Sequence, residues 1–158
     1  MAHREGDDGR NVVLNQMNKP FTAYSLDEAE MAKWDQLIAL RNSVNVVLES
    51  ARADKRIGKS LEAAVTLRAS DEESRTLVET VSDMDLADLF IVSECLIRED
   101  EDAAEAAATG NSGLYPGLNI SVVEAPGTKC PRCWKHSTAA DSETGLCPRC
   151  AAVVAKLG

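Results

Sequence analysis

Aromatic residues are scarce in this chain: two Trp, two Tyr and two Phe, 4% of 158 residues. Any core must therefore be built from Leu, Val, Ile and Ala. No apolar run approaches the ~20 residues that a membrane-spanning helix needs. The polar, charged stretch Met1–Asn11 leads into no apolar segment of the kind a signal peptide carries, so neither is expected. Gly-rich phosphate loops of the Walker or dinucleotide type are missing. Histidine occurs twice. His3 lies near the start of the chain, and His136 reads more simply as a loop residue than as a phosphate contact. No Ser/His/Asp or Cys/His pairing stands out, and the many carboxylates show no pair set apart from the crowd. Alone, the chain reads as an accessory or recognition segment and not as a catalyst.

What is present is unevenly placed. The net charge of −9 argues against a binder of nucleic acid over its whole surface. Residues 71–105 carry most of the acidity, a net −11, whereas 41–70 and 126–158 each carry a net +3. An RNA-binding surface built from those two basic segments is electrostatically possible. The acidic run within 98–113 reads as a solvated loop or short helix.

Four of the five cysteines fall in two identical units, Cys130-Pro131-Arg132-Cys133 and Cys147-Pro148-Arg149-Cys150, with 13 residues between the inner pair. Two residues between cysteines let one tight turn aim both sulfurs at a single ion. Two such turns supply four thiolates in a tetrahedron, which suits one structural Zn²⁺. A disulfide framework would need an oxidising compartment, and a redox dithiol would be a single pair. Thiolates kept for metal imply a reducing, cytoplasmic setting. Four sulfurs also fill the coordination shell, so the metal folds the segment and leaves no open position for chemistry. The fifth, Cys95, reads as a buried structural thiol.

Along the chain, residues 1–24 lack periodicity and read as the tail of a preceding element. Ser25-Leu26-Asp27-Glu28 reads as a capping box opening a helix to about Ile57. Trp34, Leu37, Val44 and Leu48 fall on its apolar face, and Gly58 serves as its stop. Such a face, exposed, would drive self-association. Lys59 to Arg68 alternates as a half-buried strand. Ser70-Asp71-Glu72-Glu73 reads as a second capping box, with helix to about Val81. Asp85 opens a short turn over Leu86–Leu89, Phe90 to Ile97 reads as a strand, and Leu118 to Glu124 as another. Ala125-Pro126-Gly127 is a hinge, and Ala151 to Leu157 closes with one or two helical turns. The fold class is α+β: a long helix and a small three-stranded α+β layer, followed by a C-terminal four-cysteine zinc ribbon.

Several strings in this order carry a family likeness. They are Trp34-x-x-Leu37-x-x-Leu40-Arg41, Lys55-x-Ile57-Gly58-Lys59-Ser60-Leu61-Glu62-Ala63, Asp85-Leu86-Ala87-Asp88-Leu89-Phe90-Ile91-Val92-Ser93, Gly127-Thr128-Lys129-Cys130-Pro131-Arg132-Cys133-Trp134 and Leu146-Cys147-Pro148-Arg149-Cys150. Together they resemble the C-terminal end of bacterial-type isoleucyl-tRNA synthetases over about residues 10–155. The finger is also similar to that of formamidopyrimidine-type DNA glycosylases. The resemblance implies three parts: 1–57 as the end of a helical anticodon-binding region, 58–125 as a small α+β domain and 126–158 as a zinc finger. It implies Cys130, Cys133, Cys147 and Cys150 as zinc ligands, and Lys129, Arg132, Trp134, Lys135 and Arg149 as RNA contacts. Trp134 would stack on an unpaired base, or else pack on the finger's own small core. Lys55, Arg56 and Lys59 form either a second RNA patch or simply a capped helix end. The implied partners are isoleucine tRNA and the rest of a synthetase, with no membrane and no DNA.

The class I signatures His-Ile-Gly-His and Lys-Met-Ser-Lys-Ser are missing, so ATP would be used only by a catalytic core outside this sequence. Three readings stay open: a tRNA-gripping piece of isoleucine–tRNA ligase, a free-standing zinc-ribbon nucleic-acid binder, and a protein-interaction module that uses the acidic 71–105 face.

Overall fold

A computed structural model of the chain describes residue 6 and residues 8–15, 20–98 and 108–157. His3 and residues 99–107 of the acidic stretch lie outside the described residues. The chain divides into two compact units, Met1–Ala32 and Lys33–Gly158.

In the first unit, single 3-10 turns form at Val12–Leu14 and Thr22–Tyr24. The Phe21 and Tyr24 rings meet edge to face, with centroids 6.3 Å apart. Helix α1 spans Glu28–Ala53. Its capping box is Asp27 with Glu30, not Ser25 with Glu28. The Glu30 amide donates to Asp27 Oδ1 (2.8 Å) and the Asp27 amide to Glu30 Oε2 (3.2 Å). Ser25 is instead in extended backbone, closing the preceding 3-10 turn.

α1 also ends sooner than the Gly58 stop implies. Lys55 takes a left-handed conformation (φ 57°). Its amide donates to Arg52 O, and the Arg56 amide reaches back to Ala51 O. That is a Schellman closure with lysine where glycine is usual. The Glu62 carboxylate then accepts from the Gly58 and Lys59 amides, each at 3.1 Å.

In the second unit, α1 lies on a four-stranded sheet ordered β2-β1-β4-β3. The strands are β1 (Ala63–Ala69), β2 (Glu94–Ile97), β3 (Ala108–Asn111) and β4 (Leu118–Glu124). β1 pairs parallel with β2 and antiparallel with β4, which pairs antiparallel with β3. Helices α2 (Glu72–Val81) and α3 (Leu86–Phe90) connect β1 to β2. The core joins Leu37, Leu40, Val44 and Leu48 of α1 to Val65 and Leu67 of β1, Leu118 and Ile120 of β4, Leu77 of α2 and Phe90 of α3. The apolar face of α1 is thus largely covered. Of the four residues named on that face, only Trp34 is exposed, at 42%.

The sheet has one strand more than the three expected. β3, Ala-Thr-Gly-Asn, has little of the composition of a strand. Its Gly110 is needed because a Cβ there would come within 2.7 Å of Val47 Cγ2. The strand expected over Phe90–Ile97 is shortened. Phe90 closes α3, Ile91 turns left-handed (φ 58°), and pairing begins at Glu94. The cap of α2 is Asp71, whose Oδ1 accepts from the Ser74 amide (2.8 Å). The Ser70 hydroxyl donates to Gly117 O instead. Cys95 is half-buried against the core, and burial, followed by the nearby Asp85 and Glu94 charges, pushes its thiol up to about 12.

Candidate metal centre

The finger begins where Gly127 (φ 89°) passes so close to the Ser137 backbone that no Cβ would fit. Strands β5 (Thr128–Lys129) and β6 (His136–Ser137) pair antiparallel. Between them lies the first knuckle. The Cys130 amide donates to Lys135 O and the Trp134 amide to Cys130 O, both at 2.9 Å. To close this turn Trp134 takes a left-handed conformation (φ 68°). The linker turns at Asp141–Gly145: Asp141 Oδ1 gathers the amides of Glu143 and Thr144 and the Thr144 hydroxyl. The second knuckle runs directly into helix α4 (Pro148–Leu157). Pro148 suits that place, because a first-turn amide has no intrahelical acceptor. The helix starts three residues earlier than the expected Ala151.

All four knuckle sulfurs lie within 4.8 Å of one another. Cys133 Sγ and Cys147 Sγ are 3.7 Å apart, against about 3.8 Å for the edge of a tetrahedron with Zn–S near 2.3 Å. The donor set and spacing fit one Zn²⁺. Cys130, Cys147 and Cys150 are buried. Burial opposes charge on Cys130, yet the amides of Cys133, Cys147 and Arg132 donate to it and bring it down to about 6. Cys133 is pushed up to about 12, by burial first and, against a Lys135 amide that pulls it down, by the neighbouring sulfurs. Cys130 thus ionises near neutrality while Cys133 resists. A dication at the centre is what allows all four to ionise together.

Of the residues expected to contact RNA, three face outward. Trp134 is 59% exposed, and Arg132 and Arg149 are exposed on the knuckles. Arg132 also reaches Cys150 Sγ at 3.9 Å, where its charge offsets that of the thiolates. The two lysines are engaged within the chain, Lys129 with Glu62 (3.5 Å) and Lys135 with Asp88. His136, read as a loop residue, lies in β6 and acts as a fastener. Its amide donates to Ser93 Oγ (2.6 Å), and its Nδ1–H faces Ala125 O at 3.2 Å. Ser93 Oγ in turn donates to Leu61 O. Ser93, Asp88 and Glu62 thus seat the finger on the sheet unit. Nothing in their local sequence signals this, because each partner is distant along the chain.

Comparison with known proteins agrees with this geometry. The family described as "Zinc finger found in FPG and IleRS" matches residues 127–153. The chain is 43% identical over 148 residues to isoleucine–tRNA ligase of Symbiobacterium thermophilum, covering 91% of this chain and 16% of that protein. It is 39% identical over 141 residues to the ligase of Edwardsiella ictaluri (85% and 14%). It is 42% identical over 135 residues to that of Staphylococcus carnosus (83% and 14%). The chain therefore spans about a sixth of these curated relatives or less. Among the described residues, no helix is long and apolar enough to cross a membrane. By its four-cysteine centre and by likeness over nearly its whole length, the chain is homologous to the C-terminal zinc-binding region of isoleucine–tRNA ligase.

Proposed function

We propose that this chain is the tRNA-gripping segment of an isoleucine–tRNA ligase in the cytoplasm. It holds isoleucine tRNA so that a core outside this sequence can activate isoleucine with ATP and charge the tRNA. In this reading 1–57 end the helical anticodon-binding region, 58–125 form the small α+β domain, and 126–158 form the finger. The metal is structural. Cys130, Cys133, Cys147 and Cys150 hold the knuckles, and the knuckles hold the RNA-contacting groups.

The observation that carries the reading is Trp134. A bulky residue in a left-handed backbone costs conformational energy, and its indole is exposed. Arg132 and Arg149 are exposed on the two knuckles. An exposed indole on a finger that also exposes two arginines suits stacking on an unpaired base while the arginines hold phosphate. Lys129 and Lys135 would join only by leaving Glu62 and Asp88.

The test is binding of isoleucine tRNA and an unrelated tRNA by the zinc-loaded chain and by the chelated chain, across a salt series. Zinc-dependent binding that prefers the isoleucine tRNA is expected. Binding that survives chelation unchanged would overturn the role of the finger.

A further inference from the structure

A second polar feature lies where α1 ends. An open cleft of about 500 Å³ is lined by Arg52, Lys55, Arg56, Ile57, Gly58, Glu62 and Glu124. Its volume lies within the range of small-ligand clefts. The charges along it are not equally available. Arg52 is held by Glu49 and by Ser60 Oγ (2.7 Å). Glu62 is held by two backbone amides and by Lys129. Those contacts, the Lys59 amide foremost, keep its carboxyl below the ordinary range. Lys55 and Arg56 are exposed and have no acidic partner among the described residues. Lys55 stands at a left-handed position where glycine would close the helix at lower cost. Glu124, at the end of β4, lines the same cleft.

We propose that this cleft binds one ribonucleotide unit of the RNA backbone, apart from the knuckle contacts. Lys55 and Arg56 take the phosphodiester, and Glu124 accepts a hydroxyl or amino hydrogen of the same nucleotide. Two cations without an acidic partner among the described residues, in a cleft that Glu124 also lines, suit a nucleotide better than a bare anion, which Glu124 would repel. The 2′-hydroxyl is the donor that RNA has and DNA lacks. The proposal rests on the tRNA-binding reading and adds a second foothold to it.

The test is an amide-resonance titration of the zinc-loaded full chain with an RNA hairpin and with its DNA counterpart. It is repeated on the Lys55→Gln/Arg56→Gln variant across a salt series. Saturable RNA shifts are expected at Lys55, Arg56 and Gly58 as well as at Cys133 and Trp134, with weaker shifts at the cleft for DNA. The variant should lose the cleft shifts, and its salt dependence should flatten by about 0.7, for the one phosphate no longer neutralised. Shifts at the knuckles alone would overturn the cleft and leave the tRNA reading standing. Shifts at the cleft alone would uphold it and remove the finger from that reading. Shifts at neither, or an unchanged salt slope in the variant, would overturn the cleft.

Discussion

The sheet unit and the finger are held together by opposite means. In the sheet unit, one continuous cluster joins α1, α2, α3, β1 and β4. In the finger, the buried cluster is Cys130, Cys147 and Cys150, with Cys133 and Leu146 partly buried against it. Take away the four sulfurs and one half-buried leucine remains. Hydrophobic burial at about 25 cal/mol per Å² can hold the first and cannot hold the second. The consequence is a division of labour. The sheet unit has an apolar core of its own, and the knuckles can place Trp134 and the two arginines outward because their own fold asks for no large side chain inside.

The sharpest way to break the comparison is to remove the metal. Zinc in small fingers contributes on the order of 10–16 kcal/mol at neutral pH, and nothing else in the finger approaches that. Chelation, or Cys130→Ser, should abolish hydrogen-exchange protection at the Cys130 and Trp134 amides. Protection in β1 and β4 should persist. Because thiols must ionise to bind, binding should release protons and weaken as the pH falls. Loss of protection in both regions together would show that the sheet unit depends on the metal as well.

The converse break is a cavity in the sheet unit. Leu40 is fully buried in α1, and Leu40→Ala should cost about 2–5 kcal/mol. Denaturant melting should show the loss while zinc stoichiometry stays at one per chain. A variant that loses its zinc in step with its core would mean that the two regions fold as one cooperative unit.

The same contrast governs what the sequence could tell. The metal centre was legible because its signal is local: two residues between cysteines, written twice, need no knowledge of the fold. The long helix, β1 and β4 were legible through periodicity. β3 was not, since its glycine answers to Val47, more than sixty residues away. Both helix caps fell on aspartate where serine stood available. Near a helix N-terminus a carboxylate also meets the dipole, and each serine had a backbone role. At Lys55 and Ile91 the chain turns left-handed without glycine, so the usual stop was absent from the sequence. The seating of the finger was least legible of all. Lys135 reads as a knuckle cation for RNA until Asp88, 47 residues earlier, is seen beside it.

That pair, like Lys129–Glu62, joins the two regions electrostatically, and it gives the smallest expected effect. The side chains of Lys135 and Asp88 are 24% and 59% exposed, so solvent screens them and the pair is worth about 0.2–1 kcal/mol. The hydrogen bond from Lys135, then its charge, hold the Asp88 carboxyl below the ordinary 3.8. With the folded value below the unfolded one, the contribution is complete above the ordinary carboxylate range. It is lost as the pH falls through the folded value. Asp88→Asn should therefore lower stability slightly at neutral pH, and its difference from the parent should shrink below about pH 4. The same substitution frees the Lys135 ammonium for phosphate. If the finger grips RNA, Asp88→Asn should bind it more tightly at low salt, with a salt slope steeper by about 0.7. An unchanged slope would assign Lys135 to holding the finger on the sheet unit, leaving Trp134, Arg132 and Arg149 to meet the RNA.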